Sequence, residues 1–210
     1  VESAARLCES LGHVVEEIEV KADFIAMATA VNVLVSSSVA EMVDAEVARR
    51  GRPLADGEIE TLSRSVCEDG RRHGGAQFVA ALKAVHAFGR QFAQNFEDLD
   101  VLLLSTLGTP PPPLGYMNTN AASLAGYAER LYGFMPNTQP FNASGLPAAS
   151  VPLDWTPQGL PIGVQIGAGY GQEGLLLQLA AQLEAARPWR ERRPGLGEAA
   201  AAVSPNMAGG

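Results

Sequence analysis

The segment from residue 146 to 186 constrains the fold most, because two short apolar runs are followed by a longer run with helical spacing. The apolar runs, LPAASVPL and LPIGVQI, are separated by DWTPQG, in which Pro and Gly favour a reversing turn. We therefore predict two strands, Leu146–Leu153 and Leu160–Ile166. A helix from Glu173 to Ala186 is predicted next, with its buried side formed by Leu176, Leu179, Ala180 and Leu183.

The connection between the second strand and this helix has the spacing Gly-x-Gly-x-x-Gly, formed by Gly169, Gly171 and Gly174. The same spacing occurs in dinucleotide sites, which also need a further strand and an acidic residue about 20 residues on. Here the helix runs instead into RPWRERRPG. The carboxylate of Glu173 at the helix start would also repel a pyrophosphate. The glycines therefore predict a sharp strand-to-helix connection rather than a nucleotide site.

Composition excludes several classes of partner. The 210 residues carry a formal net charge of -8, which argues against nucleic acid or an anionic membrane as a partner. No uninterrupted apolar run approaches membrane-spanning length, so no membrane partner is expected. Cys8 and Cys67 are the only cysteines, so neither a disulfide framework nor a cysteine-rich metal site is indicated. A reducing cytoplasm fits this composition.

The first half of the chain reads as mainly helical. Apolar residues mark a helical face from Val1 to Leu11, and helical spacing returns from Asp23 to Phe96 with a polar break at GRPLADGE. Between these regions HVVEEIEV, residues 13–20, predicts a short strand. After them, DVLLL predicts a buried strand, TPPPPLG an extended loop, and Ser123 the cap of a further helix.

The sequence contains none of the catalytic or metal-binding motifs considered next. The histidines His13, His73 and His86 lack metal-ligand spacing, and HGG has no later G-x-S-x-G nucleophile elbow. The triplet Ser36 to Ser38 continues a helical pattern without the glycines that an oxyanion site usually needs. Helix packing is favoured for this triplet, with hydroxyls facing a pocket as the alternative. No catalytic residue, metal or cofactor is assigned.

Several C-terminal motifs together resemble the end of amidase signature enzymes. They are an apolar strand leading into a proline-rich loop, the Pro140–Asn142 segment, the Gly145–Pro152 run, Gly159-Leu160-Pro161 before Gly163, and Pro188-Trp189. The segment AARLCESLGHVVEEIEV also resembles the helix and strand that follow the family's catalytic core. The resemblance spans about residues 4–189, and within the family it points to the 6-aminohexanoate cyclic-dimer hydrolase-like branch.

This resemblance implies an α/β fold, the C-terminal portion of an amidase signature fold with a mixed central sheet flanked by helices. It also implies amide hydrolysis through a Ser, cis-Ser, Lys triad and an acyl-enzyme, with backbone amides stabilising the oxyanion. Neither the Gly-Gly-Ser-Ser-Gly-Gly segment nor its upstream Lys matches any position in this chain. The triad is therefore expected upstream of Val1, and the chain alone is expected to be inactive.

The remaining contribution of this part of the enzyme is a pocket wall for a small amide substrate. We predict that the QPFN loop supplies Phe141 as a packing group and Asn142 as an orienting amide, with Ser36 as a further pocket hydroxyl. A loop amide that only satisfies neighbouring backbone groups is the alternative for Asn142. Two departures bear on pocket shape: Ser105-Thr106-Leu107 replaces the usual Thr-Pro-Thr, and Gly167-Ala168 stands where an Arg is common.

The sequence allows two interpretations of the whole chain. In the first, residues 1–194 are the C-terminal part of one amidase domain whose N-terminal half is absent, and residues 195–210 are a flexible Ala/Gly-rich tail. The helical face that begins uncapped at Val1 favours this interpretation. In the second, the chain is a naturally short non-catalytic remnant or interaction module. The missing half of the same fold is an expected partner, as is a second copy in a homodimer.

Overall fold

The structure, a computed structural model, describes residues 1–120 and 124–192. Within these residues it contains seven helices and three strands. The helices are α1 Glu2–Ser10, α2 Phe24–Arg50, α3 Thr61–Gly70, α4 Gly75–Gln94, α5 Leu124–Phe134, α6 Gln139–Ser144 and α7 Glu173–Ala186. The strands are β1 Leu102–Ser105, β2 Ala148–Trp155 and β3 Pro161–Gly167.

The three strands form one sheet in the order β1-β3-β2, and both neighbouring pairs are antiparallel. The predicted reversing turn therefore joins β2 to β3 as a hairpin, in which Val151 pairs with Val164. β1 arrives from the other side, with Leu103 opposite Ile166. Helices pack around this sheet, so the α/β class is confirmed, and the strands described here form an antiparallel part of such a fold.

One face of the sheet is covered by α1 and α7. Alternation along β2 and β3 places Val151, Leu153, Val164 and Ile166 on this face, where all four are buried. The predicted buried side of α7 meets them through Leu176, Leu179 and Leu183, and Ala4 and Cys8 of α1 complete the cluster. The predicted bounds of α7 and its buried leucines are confirmed.

The opposite face is covered by α4 and α6 through an aromatic cluster centred on Phe92. The Phe92 ring stacks on Phe88 at 5.5 Å between centroids and meets Phe141 edge-on at 5.2 Å. Met27 of α2, Leu102 of β1 and Leu146 are buried in the same cluster. Each aromatic pair adds about 0.5–1.5 kcal/mol beyond the area that it buries.

The helices α2, α3 and α4 form a layer whose ends follow ordinary capping rules. The Asp23 carboxylate accepts a hydrogen bond from the Ala26 N–H at 2.9 Å, which starts α2, and Gly51 ends it with a φ of 67°. α2 packs against both α3 and α4. The crossing with α3 is close at Gly70, because a Cβ there would lie 1.9 Å from the Ser36 carbonyl oxygen.

Some sequence-based expectations are wrong or untested. Residues 13–20 form no strand: Val14 is 87% exposed, while Val15 packs against the cluster under α7 and Val20 against the aromatic cluster. The QPFN segment is not a loop, since it lies within α6. The predicted cap Ser123 and the predicted tail 195–210 lie outside the described residues.

The sequence has no uninterrupted apolar run of membrane-spanning length, but the length of α2 has to be considered as well. Among the described residues, α2 is long and apolar enough to cross a membrane by length and composition. Core helices of soluble proteins and signal sequences meet the same criterion, so this is weak evidence for a membrane.

Candidate functional site

Neutral polar side chains come together at the end of β1, some from the chain that follows β1 and some from strands β2 and β3. Thr106 directly follows β1, and its Oγ1 lies 2.6 Å from the Oγ of Ser150 on β2. The middle strand β3 passes between them at Gly163, whose carbonyl accepts a hydrogen bond from the Thr106 N–H at 3.1 Å. These two hydroxyls, which we call the hydroxyl bridge, therefore meet over the middle strand.

Asn137 connects this end of the sheet to the segment that leads into α6. Its Nδ2 donates to the carbonyl oxygen of Ser105 at 2.9 Å and lies 3.0 Å from the Ser105 Oγ. Gln165 of β3 is buried, and its Nε2 donates to the Asn137 carbonyl at 3.0 Å. Because Ser105 and Asn137 are 32 residues apart, these bonds close the base of the intervening proline-rich segment and α5.

The two residues predicted on the QPFN segment have different environments. Phe141 is buried, and its ring lies against Gly167, where a Cβ would approach the Cε1 and Cζ atoms to 2.2 Å. Asn142 is exposed, and its backbone N–H donates to Thr138 at 3.2 Å. Phe141 can thus hold α6 on the sheet, while the Asn142 side chain is available to a ligand.

Ser36 lies on α2 at the crossing with α3, in a different part of the molecule from Phe141. It is buried, and its Oγ donates to the Val33 carbonyl over a long 3.4 Å. Met27, which shares the aromatic cluster with Phe141, is nine residues earlier on α2, a distance of about 13 Å along the axis. The structure therefore does not bring the three predicted binding residues together.

The surroundings of Ser36 are ionic rather than catalytic. The carboxylate of Asp69 lies 2.5 Å from Arg72 Nη2 and 3.3 Å from His73 Nε2. Desolvation raises the pKa of Asp69, but the hydrogen bonds with Arg72 and His73 outweigh it and hold the pKa below its ordinary value. Ser38 donates to the Leu34 carbonyl at 2.8 Å, and the buried Ser37 Oγ has no hydrogen-bond partner in the described part of the chain.

Other candidates from the sequence have structural roles. Gly169 and Gly171 lie in the short connection from β3 to α7, where Gly171 has a φ of 76° that favours glycine. His13 Nε2 lies 2.8 Å from the Gln182 side-chain oxygen of α7. Over residues 1–120 and 124–192, no group of three or more His, Cys, Asp or Glu side chains could hold a metal ion.

A cavity of about 620 Å³ at the start of α2 shares no lining residue with the candidate residues described above. Its lining comprises Lys21, Ala22, Asp23, Phe24, Ile25, Gln91 and Gln94. The polar groups at the end of β1 are better placed to orient a neutral ligand, because they are fixed by mutual hydrogen bonds. The sequence pointed to these polar groups only through Ser105-Thr106-Leu107, which stands in place of the usual Thr-Pro-Thr. The other groups join them through the strand register, which a single sequence does not show.

Comparisons with known proteins agree with this architecture. The chain is 38% identical over 152 residues to 6-aminohexanoate-cyclic-dimer hydrolase of Pseudomonas sp. (strain NK87), which is 70% of this chain and 31% of the relative. The protein of the same name from Paenarthrobacter ureafaciens is 37% identical over 152 residues, again 70% of this chain and 31% of the relative. This chain thus spans about a third of the length of the curated relatives that it matches.

Solved structures give the same result for the fold. A structure of 6-aminohexanoate cyclic dimer hydrolase superposes with a TM-score of 0.81 at 30% identity, over 92% of this chain and 42% of that chain. A bacterial aryl acylamidase of the amidase signature family superposes with a TM-score of 0.69 at 21% identity, over 90% of this chain and 39% of that chain, which supports the fold alone. The sequence profile of the family described as Amidase matches residues 1–177. The chain belongs to the amidase family.

Proposed function

We propose that this chain is part of an amide-hydrolysing enzyme and forms a wall of its substrate pocket. The observation that carries this proposal is the likeness to 6-aminohexanoate cyclic dimer hydrolase, which extends over 92% of this chain with a TM-score of 0.81. A structure of that enzyme complexed with substrate superposes with a TM-score of 0.77. The proposed substrates are linear or cyclic amides.

The proposed mechanism is acyl transfer through a Ser, cis-Ser, Lys triad that lies upstream of Val1. The Lys would draw a proton through the second Ser while the first Ser attacks the carbonyl, and water would then release the acyl group. Within this chain, Lys21 and Lys83 are the only lysines, and Ile18 and Ala80 stand three residues before them. The hydroxyls of Ser36 and Ser38 donate to helix carbonyls. We therefore assign no catalytic residue here.

The contribution proposed for this chain is binding and orientation. Asn142 would orient the substrate amide with its exposed side chain, and the buried Phe141 would fix the position of α6 beneath it. Ser36 stays a separate proposal for a pocket hydroxyl, on α2. The upstream half of the same fold is the proposed partner, and it would cover apolar side chains that α2 and α4 leave exposed.

The experiment compares two chains with the 6-aminohexanoate cyclic dimer as substrate and detects the ring-opened product by mass spectrometry. The 210-residue chain should give no turnover, whereas the longer chain encoded by the same reading frame should hydrolyse the dimer. In the longer chain, N142A should lower kcat/KM about tenfold, because a lost hydrogen bond to substrate costs about that factor. The exposed Gln178 of α7 provides a matched control, because Q178A should leave kcat/KM unchanged.

Failure of the longer chain to hydrolyse any of a panel of linear and cyclic amides would overturn the proposed function. Turnover by the 210-residue chain that is lost in S36A, S37A or S38A would overturn the upstream location of the triad. If the chain is instead a non-catalytic remnant or interaction module, neither the 210-residue chain nor a longer chain should hydrolyse an amide.

A further inference from the structure

The hydroxyl bridge of Thr106 and Ser150 is an unusual contact, because Thr106 directly follows β1 whereas Ser150 lies on β2, and these two strands are not neighbours. Strands β1 and β2 flank β3, so their backbones are about 10 Å apart. The two side-chain oxygens nevertheless lie 2.6 Å apart. Both side chains must therefore lean over the middle strand toward each other.

Gly163 of β3 makes this contact possible. A Cβ at this position would lie 2.6 Å from the Ser150 Oγ and 2.8 Å from the Thr106 Oγ1. Both distances are far below van der Waals contact, so a side chain here would push the hydroxyls apart. The bond from the Thr106 N–H to the Gly163 carbonyl fixes the backbone of β1 at this point. The hydroxyl bridge is thus set in position by the sheet.

The bridge leaves hydrogen-bonding capacity unused. Each hydroxyl has one donor hydrogen and two acceptor lone pairs, and the bridge consumes one hydrogen and one lone pair. The structure describes no other side-chain hydrogen bond for either residue in residues 1–120 and 124–192. One O–H donor and several lone pairs therefore remain side by side. Ser150 is exposed and Thr106 half-buried, so a ligand can reach both.

The nearby polar groups are neutral as well. Ser105, Asn137 and Gln165 hydrogen-bond to one another at the same end of the sheet, through hydroxyl, carboxamide and backbone groups. The hydroxyl bridge offers a hydrogen-bond donor next to an acceptor. Its complement is a ligand group with one acceptor and one donor on the same side. Primary amides and amides held cis in a small ring present C=O and N–H in this way, whereas a carboxylate presents acceptors only.

We propose that the hydroxyl bridge of Thr106 and Ser150 is a specificity-determining element that binds a substrate carboxamide whose C=O and N–H lie on the same side. The inference rests on the proposed function, because it names the amide class that the pocket wall favours. Neither hydroxyl takes part in bond breaking. Their role is to orient the amide and to discriminate against carboxylates.

The test uses the 210-residue chain and nuclear magnetic resonance titrations with caprolactam, a ring amide, and with hexanoate. Caprolactam should shift the backbone amide signals of Thr106 and Gly163 saturably, and hexanoate should bind more weakly. T106V and S150A should each weaken caprolactam binding about fivefold, since each removes one hydrogen-bonding group. T106S keeps the hydroxyl and should restore binding to within about twofold.

The control is T29V, which removes a hydroxyl that donates to the Ile25 carbonyl at 2.9 Å on α2, far from the sheet. It should leave caprolactam binding unchanged. The inference is overturned if caprolactam causes no saturable shift at Thr106 and Gly163, or if T106V and S150A bind it as tightly as the wild type. These outcomes are independent of hydrolysis by the longer chain, so failure of the proposed function is recognised separately.

Discussion

The two sides of the molecule differ in how completely they are packed. Under α7, the apolar side chains that the sheet and the helix turn toward each other are buried, and Ile166 and Leu183 are both 0% exposed. The helical layer is different, since α2 is 27 residues long and mostly apolar, yet Ile25 is 83% and Met42 67% exposed. On α4, Phe78, Val79 and Leu82 are also exposed.

This difference indicates what each side requires. The sheet with α1 and α7 has a core of its own, because its two layers cover each other. The helical layer carries an apolar surface that a soluble protein usually covers with another element or partner. A chain that spans about a third of its relatives is compatible with such a surface. The proposal that upstream residues cover α2 and α4 follows from this contrast.

The largest expected effect tests the packed side. L183A should lower the free energy of unfolding by about 3 kcal/mol, because truncating a fully buried leucine leaves a cavity. Leu177 on the same helix is 69% exposed, so L177A should change stability by less than about 0.5 kcal/mol. Urea denaturation measures both. Equal effects of the two variants would contradict the packing of α7 described here.

The next effect concerns the crossing of α2 and α3. A helical Gly-to-Ala change normally stabilises a protein, but G70A should cost about 2 kcal/mol because the new Cβ meets the Ser36 carbonyl at 1.9 Å. Gly174 of α7 has open space around its Cβ position, so G174A should be neutral or stabilising by up to about 1 kcal/mol. In thermal unfolding, G70A should have a lower midpoint than the wild type and G174A should not, and a stabilised G70A would disprove the close crossing.

A smaller effect is expected at the start of α2. D23A removes the carboxylate that caps the helix and should cost about 1 kcal/mol. D56A, in the exposed turn after α2, is the matched control and should be silent. If the two variants have the same unfolding free energy, capping does not contribute to the stability of α2.

The smallest effect is a pH dependence at the end of α2. Hydrogen bonds from Arg49 and Arg50 hold the pKa of Glu46 at about 2, and those from Arg52 and the Ala55 N–H hold the pKa of Glu58 at about 2. Both values lie below the ordinary 4.5, so the stabilisation is complete above pH 4.5 and is lost as the pH falls toward 2. Both side chains are partly exposed, Glu46 to 35% and Glu58 to 27%, so the effect should be small and weakened by salt.

The measurement for this pair is thermal unfolding between pH 5 and pH 2, with the variant E46Q/E58Q beside the wild type. The variant should lose the part of the acid dependence that these carboxylates cause. An identical pH profile for the two proteins would show that the ion pairs do not contribute to stability.

Sequence reasoning succeeded where the signal was local. The helical spacing of Leu176, Leu179 and Leu183 predicted α7 correctly. The turn residues between the two apolar runs predicted the hairpin of β2 and β3. It failed at residues 13–20, because an apolar alternation makes a strand only where another strand can pair with it. Here Val15 and Val20 instead contact two different clusters.

The candidate site could be predicted only in part. The family motif led to Phe141 and Asn142 as proposed pocket residues, which stay a prediction, and it did not show that Phe141 is buried and Asn142 exposed. The hydroxyl bridge joins residues 44 apart and depends on strand register and on a glycine in a third strand. Such a contact has no signature in a single sequence, because Thr106 is far along the chain from the hairpin that carries Ser150 and Gly163, and only the strand register brings the three together.

The central proposal is that this chain is part of a longer amide hydrolase whose catalytic residues lie upstream of Val1. The most direct measurement is to sequence the DNA upstream of the Val1 codon and to translate the same frame. We predict an open frame with a Lys followed by a Gly-Ser-Ser-Gly-rich segment. An in-frame stop immediately before Val1 would contradict the claim and would favour a short, non-catalytic protein.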